Sequence, residues 1–327
     1  MIFFTGGLGF IGGNTRNYFL KKTSQMIVNI DKQTYASNKN FNNIFRKSKK
    51  YLHKKTDICS KNILKLFLKY KPDLIINFAA ETHVDNSIAH SHNFVNSNIL
   101  GTYNLLETVR LYLKRCPNKN FKFIHISTDE VYGDLGSQKS KFHEKFSYNP
   151  SSPYSATKAA SDHLVTAWSR TYRIPFIIIN MSNNYGPYQN SEKLIPKIIS
   201  NCLNKKYIPI YGKGNQIRDW LFVEDAAEAI YKISRSKYIN QKFCIGGNNP
   251  MKNIDLAKKI CINISKKMND QFDYLELLKF TKDRPGHDIK YEVDISKVKR
   301  LIKWSPSTSF DNGINKTINF FIKNNLK

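Results

Sequence analysis

Short apolar runs alternate with longer stretches of helical spacing through the first half of the chain. Ile2–Thr5, Met26–Ile30, Leu74–Asn77, Phe121–Ser127 and Phe176–Met181 carry the pattern of strands, bounded by polar and turn residues. The stretches near Ile11–Lys21, Ile63–Tyr70, Phe94–Arg115 and Ser155–Tyr172 carry the pattern of helices. Such alternation predicts β-α units wound into a parallel sheet. Strands that are apolar throughout are expected where helices cover both faces of that sheet. After about Asn183 the rhythm changes. Loops rich in Gly, Pro and Asn (185–187, 211–214 and 246–250) interleave with helices at Ala226–Ser234 and Ile254–Met268. The expected fold is therefore α/β: a Rossmann-type doubly wound parallel sheet over residues 1–182, with a smaller substrate-binding portion over 183–327. Segments of that second portion could return to the main sheet. The Lys/Asn-rich stretch 38–56 reads as a surface excursion inside the first domain.

Composition narrows the class. With 327 residues, 41% hydrophobic and 13% aromatic, the chain can bury an ample core. No apolar run approaches the roughly 18–20 residues of a membrane span. Met1–Phe4 runs straight into Thr5-Gly6-Gly7, leaving no leader pattern, so the expected location is cytoplasmic. Cys59, Cys116, Cys202, Cys244 and Cys261 include no C-x-x-C pair and read as reduced thiols. The net charge of +27 invites a nucleic-acid reading. The lysines are spread along the whole chain without a dense block or a nucleic-acid motif, so a generally basic, solvated surface is the better reading.

Gly7-Leu8-Gly9-Phe10-Ile11-Gly12 fits G-x-G-x-x-G directly after the first strand and at the start of a helix. The glycines permit the tight turn, the approach of a pyrophosphate and close helix–strand packing. The helix N-terminus adds unpaired N–H groups and a positive dipole end. Asp31 follows the second strand, where a carboxylate accepts from a ribose 2′-hydroxyl and repels a 2′-phosphate, favouring NAD over NADP. Further on, Tyr154-Ser155-Ala156-Thr157-Lys158 places Tyr154 and Lys158 on one helix face. An ammonium near a tyrosine favours the phenolate, which could act as a base toward a hydroxyl being oxidised, and Lys158 could also hold the nicotinamide ribose. His90-x-His92 and the pair His83/Asp85 lack the further ligands a metal would need, so no metal site is expected.

These motifs together resemble the extended short-chain dehydrogenase/reductase family. Within it, Ser127–Gly133 (STDEVYG), Ala79–Asp85 (AAETHVD), Ser182–Tyr188, Glu192–Pro196, Gln216–Trp220 and Asp283–Asp288 resemble the signatures of the dTDP-glucose 4,6-dehydratases. The resemblance runs from Met1 essentially to the end. It implies a sugar-nucleotide lyase that uses NAD and acts on dTDP-glucose, and a homodimer in which helices 94–115 and 155–172 meet their copies. Tyr154 would take the 4-hydroxyl proton, Glu130 the C5 proton, Asp129 would protonate the leaving 6-hydroxyl and Thr128 would orient the 4-oxygen. A carboxyl pair divides acid and base work when its two environments differ. By matching motif, Gly7, Gly9, Phe10, Ile11, Gly12, Asp31, Lys32, Thr34, Asp57, Ile58, Phe78, Ala79, Ala80, Glu81, Ser97, Tyr154, Lys158 and Asn184 fall to the cofactor. Thr82, Thr128, Asn183, Lys193, Leu194, Pro209, Tyr211, Arg218, Asn253, Arg284 and His287 fall to the substrate, the two arginines suiting a diphosphate. Departures from the family pattern are Gly13 for Ser, Ser97 for Thr, Thr82 for Ser and a short C-terminus. A nucleotide-sugar 4-epimerase or decarboxylase, or a non-catalytic basic NAD- or RNA-binding protein, stand as alternatives.

Overall fold

The computed structural model describes residues 1–38, 41 and 48–325. Seven strands form one all-parallel sheet: β1 (Ile2–Thr5), β2 (Ile27–Asp31), β3 (Tyr51–Lys55), β4 (Leu74–Asn77), β5 (Lys122–Thr128), β6 (Phe176–Met181) and β10 (Gln241–Ile245). Their order across the sheet is β10-β6-β5-β4-β1-β2-β3. The chain winds outward from β1 in one direction and from β4 in the other. A doubly wound sheet opens a crevice between such strands, at their C-terminal ends.

Strand periodicity divides the core into two layers. Ile2 and Phe4 of β1, Leu74 and Ile76 of β4, and Ile177 and Ile179 of β6 face one side. They pack there with Phe19 and Leu20 of α1 (Phe10–Lys22) and Ile230 and Ile233 of the helix Val223–Arg235. Phe3, Ile75 and Ile178, the neighbours in sequence, face the other side. There they meet α2 (Ile63–Tyr70), α3 (Gly101–Arg115) and α4 (Pro153–Tyr172). Every second residue serves one layer, yet both layers are apolar, which is why no alternation is visible in the sequence.

A second core lies outside the sheet. α6 (Val223–Arg235) is the helix already placed on the main sheet, while α5 (Leu194–Leu203), α7 (Asn253–Met268) and α8 (Phe310–Asn325) surround two small sheets. One is β7 (Asn183–Tyr185), β9 (Ile217–Phe222) and β11 (Pro250–Lys252); the other is β8 (Ile208–Tyr211) with β12 (Leu278–Thr281). Ile198, Cys202, Ile260, Cys261 and Ile314 fill this core. β10 leaves this half to pair with β6.

Two expectations change. Within 38–56, Tyr51–Lys55 is not an excursion but the edge strand β3, paired with β2; residues 39–40 and 42–47 of that stretch lie outside the described residues. Its Leu52-His53-Lys54-Lys55 is polar because an edge strand is covered on fewer sides. The helix read over 94–115 is also not uniform, since Val95–Leu100 winds as a π-helix before α3 begins. Such wide turns concentrate at functional sites, and Ser97, a predicted cofactor contact, lies in this one.

Candidate active site

The turn after β1 is built around two side chains of β2. Gly7 N donates to Asn29 Oδ1 (3.0 Å) and Leu8 N to Asp31 Oδ2 (2.9 Å). Asp31 Oδ1 also accepts from Gln33 N (2.8 Å) and from the Ser37 hydroxyl (3.1 Å). Asp31 thus pins the glycine turn and lines the crevice at once. Glycine at 12 is required by contact: a Cβ there would stand 2.5 Å from the Gly6 carbonyl oxygen. The Gly7 N–H is spent inside the protein, and Gly7 alone of the predicted cofactor residues is absent from the crevice lining. Lys32 reaches across to the Ser97 hydroxyl (3.0 Å) and toward Asp57 (3.7 Å).

The same crevice brings Thr82, Thr128, Glu130, Tyr154, Lys158, Asn183, Asn184 and Lys193 into one space with those residues. Local sequence sets each in place. β5 ends at Thr128, whose hydroxyl accepts from Glu130 N (3.3 Å) and starts the 3₁₀ turn Asp129–Tyr132. Gly133 closes that turn at φ 86, with its Cα hydrogens against the Asn149 carbonyl where no side chain fits. α4 begins with a capping box: Ser155 N donates to Ser152 Oγ (3.1 Å), Ser152 N donates to Ser155 Oγ (3.0 Å), and Pro153 stands in the first turn. This fixes Tyr154 and, one turn on, Lys158.

Adjacent in sequence, Asp129 and Glu130 sit in unlike surroundings. Asp129 is buried behind the crevice wall and its Oδ2 has no hydrogen-bond partner. Burial, then the charges of Glu130 and Asp219, hold its carboxyl well above the usual carboxylate range. Asp219 is itself pushed up to about 6 by burial. Glu130 faces the crevice; burial raises its carboxyl, but Arg218, Lys193 and Arg284 all oppose that rise. Burial raises both carboxyls, but three cations oppose the rise at Glu130 and only Arg218 among them opposes it at Asp129.

Burial and then Glu130 hold the Tyr154 phenol well above its ordinary value, with Thr128 working the other way, and Lys158 is not among the leading influences on it. The reason is where the ammonium goes. Lys158 Nζ donates to the Ile126 carbonyl (2.7 Å), in the strand beneath the helix.

The remaining predicted substrate residues line a second region, joined to the first through Lys193, which donates to the Thr82 carbonyl (2.8 Å). Leu194 follows at the start of α5 and packs on the second core. Asp85 binds Arg284 (3.5 Å) and accepts from the Tyr211 hydroxyl (3.3 Å). The Tyr211 ring meets His287 edge-on at 6.2 Å, and Pro209 precedes it in β8. His287 is held by Asp283 (2.6 Å), which also accepts from Gln216 Nε2 (3.0 Å). Asn253 N donates to the Gln216 carbonyl (2.9 Å). Arg218, buried on the Tyr291 ring at 4.1 Å, donates to the carbonyls of Ile217 (2.8 Å) and Asp288 (2.9 Å). It has no ion-pair partner among the described residues, and its charge is felt by Asp129 and Glu130. Arg284 Nε, Asn183 Oδ1 and Asn253 Oδ1 are buried without hydrogen-bond partners. Buried polar atoms of this kind mark ligand positions when they cluster in one place.

A family model described as GDP-mannose 4,6-dehydratase matches residues 3–317. A dTDP-glucose 4,6-dehydratase of Haemophilus influenzae is 46% identical over 331 residues, 99% of this chain and 98% of that protein. One from Escherichia coli is 45% identical, covering 99% and 94%. The chain belongs to the dTDP-glucose 4,6-dehydratase family. Among solved structures, that of the Bacillus anthracis dTDP-glucose 4,6-dehydratase in complex with NAD superposes with a TM-score of 0.88 at 34% identity, covering 99% and 97% of the two chains. The Streptomyces venezuelae enzyme, also with NAD bound, gives 0.90 at 30%, covering 99% and 97%.

Against this dTDP-glucose 4,6-dehydratase frame, some residues of the site went unread in the sequence. Ser182, Gln189, Asn190 and Glu192 line the crevice beside the predicted set. Asp85, dismissed above as half of a metal pair, anchors Arg284 and Tyr211, while its companion His83 caps a short helix by accepting from Asn86 N (3.3 Å). The polar string 182–192 was the available signal for the first group, and the order of residues alone could not say which of them faces inward.

Proposed function

We propose that the protein is an NAD-dependent hydro-lyase that converts dTDP-glucose to dTDP-4-keto-6-deoxyglucose and water. The carrying observation is the division of the neighbouring carboxyls: Asp129, buried and pushed well above the usual carboxylate range, beside Glu130, which faces the crevice and whose rise Arg218, Lys193 and Arg284 oppose. NAD fits the first region on what the chain presents: the Gly9–Gly12 approach, the α1 N-terminus and the Asp31 carboxylate share one crevice with Tyr154 and Lys158. When bound, it supplies the hydride acceptor and donor and, in its oxidised form, a positive charge in the crevice that favours the Tyr154 phenolate.

The chain's own residues divide the proton work. Thr128 orients the 4-oxygen and Tyr154 takes the 4-hydroxyl proton as the C4–H electrons leave. The C4 ketone so formed acidifies C5–H, and Glu130 removes that proton. Asp129 protonates the 6-hydroxyl, which departs as water as the C6–O bond breaks. C6 then receives the hydride taken from C4, and C5 receives a proton from Glu130. Over the cycle the proton gained by Tyr154 balances the one lost by Asp129, and no net oxidation remains. Lys193, Arg218 and Arg284 hold the diphosphate, a use that suits an Arg with no ion-pair partner among the described residues and an Arg with a free buried Nε–H. We assign residues 1–182 to the cofactor and 183–327 mainly to the substrate.

Incubation with dTDP-glucose followed by mass spectrometry tests the reading. Loss of one water is expected. An isomer of unchanged mass would favour a 4-epimerase, a reading kept open by a Bacillus cereus UDP-glucuronic acid 4-epimerase of the same fold (TM-score 0.88, 26% identity). A 4-epimerase has no use for the Asp129–Glu130 division, which is why it stands second.

The same reading makes the enzyme a cytoplasmic homodimer. Its support as a dimer is an apolar patch on adjoining helices, where the Tyr103 ring meets Trp168 edge-on, Trp168 meets Tyr172 at a tilt, and Val95 and Leu100 are exposed. Size-exclusion chromatography with light scattering is expected to give twice the 38.0 kDa chain mass. A species of chain mass alone would remove the dimer.

A further inference from the structure

The tyrosine–lysine motif leaves a third ionisable residue of the same helix face unused. Asp162 lies one further turn along α4 and is fully buried. A carboxylate is retained in such a place only with hydrogen-bond donors and a counter-charge. Its Oδ2 takes three donors: the hydroxyls of Ser127 (2.9 Å) and Tyr148 (2.7 Å) and Asn180 Nδ2 (3.2 Å). Its Oδ1 has no hydrogen bond. That free oxygen stands 3.5 Å from Nε2 of His125, and the Lys158 ammonium stands 3.5 Å from the same nitrogen. Three donors on one oxygen fix the rotation of the carboxylate, so the other oxygen is kept at the His125 nitrogen that Lys158 also approaches.

Other charged groups around Lys158 do not serve it in this way. Burial, then the Lys158 ammonium, hold His125 far below its usual range, hence neutral. Lys242 backs the far side of the carboxylate through Tyr148, to which it donates at 2.9 Å. Tyr132 and Cys244 lie near Tyr148 and are held neutral by burial. On the crevice side, Glu130 acts on Tyr154 rather than on Lys158.

We propose that Asp162 is a positioning residue for the oxidation step: the buried counter-charge that keeps Lys158 an ammonium under the crevice floor. The proposal rests on the reading of Lys158 as a cofactor-holding cation. Burial pulls Lys158 down to about 8, and Asp162 is what opposes that fall. Reciprocally, Lys158 leads the groups that oppose the rise of Asp162. The sign follows. A lysine that works as a cation does so below its pKa, and its contribution is lost as pH rises through that value. Removing the Asp162 charge lowers the Lys158 pKa, so the loss moves to lower pH.

Asp162→Asn, with NAD affinity measured by calorimetric titration from mildly acid to alkaline pH, tests this. The alkaline midpoint of NAD binding is expected to fall by about one pH unit or more, with the alkaline limb of kcat/KM moving alongside. Weaker binding with an unmoved midpoint would make Asp162 a packing residue and overturn the proposal. The NAD titration needs no turnover, so a failed dehydration assay would sink the functional reading and leave this test intact. Should Asp162→Asn fail to fold, Asp162→Ser removes the same charge with a smaller side chain. The same fall of the alkaline midpoint is expected, and an unmoved midpoint would again overturn the proposal.

Discussion

Tyr154→Phe is expected to lower dTDP-glucose dehydration by about 10²–10⁴-fold, the usual weight of a positioned proton acceptor. The loss should fall on the chemistry and not on the fold. The Tyr154 ring is buried and packs edge-on against Phe94 at 6.3 Å, a contact that Phe preserves. The hydroxyl is the part that changes, and it faces Thr128 and Glu130 across the crevice. Removing it takes away the acceptor for the 4-hydroxyl proton while Lys158 and the glycine turn stay in place, so NAD affinity should change little. Turnover within about tenfold of the native rate would show that another group takes this proton. A loss of NAD binding in parallel would show that the phenol holds the cofactor more than it serves the base.

The second large effect is expected at Glu130. Glu130→Gln keeps the side chain's shape but removes the only crevice-facing carboxylate that Arg218, Lys193 and Arg284 draw toward its charged form. Dehydration should again fall by about 10²–10⁴-fold, and for a separate reason: C4 can still be oxidised, but C5–H cannot be removed. Deuterium separates the two. In heavy water the native enzyme should place solvent deuterium at C5 of the product, because Glu130 exchanges its proton before returning it. The Gln variant should place none there. Undiminished C5 labelling in Glu130→Gln would move the base to another residue, with Asp129 the first to examine. The pairing is informative because burial and two neighbouring carboxylates push the Asp129 carboxyl well above the usual carboxylate range, a shift that favours giving a proton over taking one.

Much of this site was legible in the sequence, and the reason is local. A glycine turn between a strand and a helix, a carboxylate at the end of the next strand, and Tyr and Lys four apart on a helix are short-range patterns. Their geometry is dictated by backbone sterics and helical pitch. The adjacent carboxyls at 129 and 130 could be read as a pair, but their opposite fates could not. That difference comes from Arg218, Lys193, Arg284 and Asp219, which lie far off in sequence and reach the site only through β9, the start of α5 and the loop after β12. The same holds for Lys158. Spacing placed it beside Tyr154, but the carbonyl of Ile126 and the carboxylate of Asp162 decide where its ammonium goes. Strand β3 escaped notice because an edge strand need not be apolar, and its Leu52-His53-Lys54-Lys55 looks like surface from the sequence alone. Asp162 escaped because a lone acid in a helix reads as solvent-facing until its neighbours are known to be Ser127, Tyr148 and Asn180.

The return of β10 to the edge of β6 bears on how the chain is made. Six strands of the main sheet are in hand once synthesis reaches Met181, yet the seventh comes only after five further elements, β7 to β9 and two helices, have been laid down. At roughly 5–20 residues per second, the β6 edge waits several seconds on the ribosome with its N–H and C=O groups unpaired. The strand left waiting is Phe-Ile-Ile-Ile-Asn-Met, apolar along most of its length and a template for any extended chain that meets it first. A protein cut after the cofactor-binding half would keep that edge for good. During that interval the lysines and arginines that dominate the chain's charge supply repulsion between neighbouring copies.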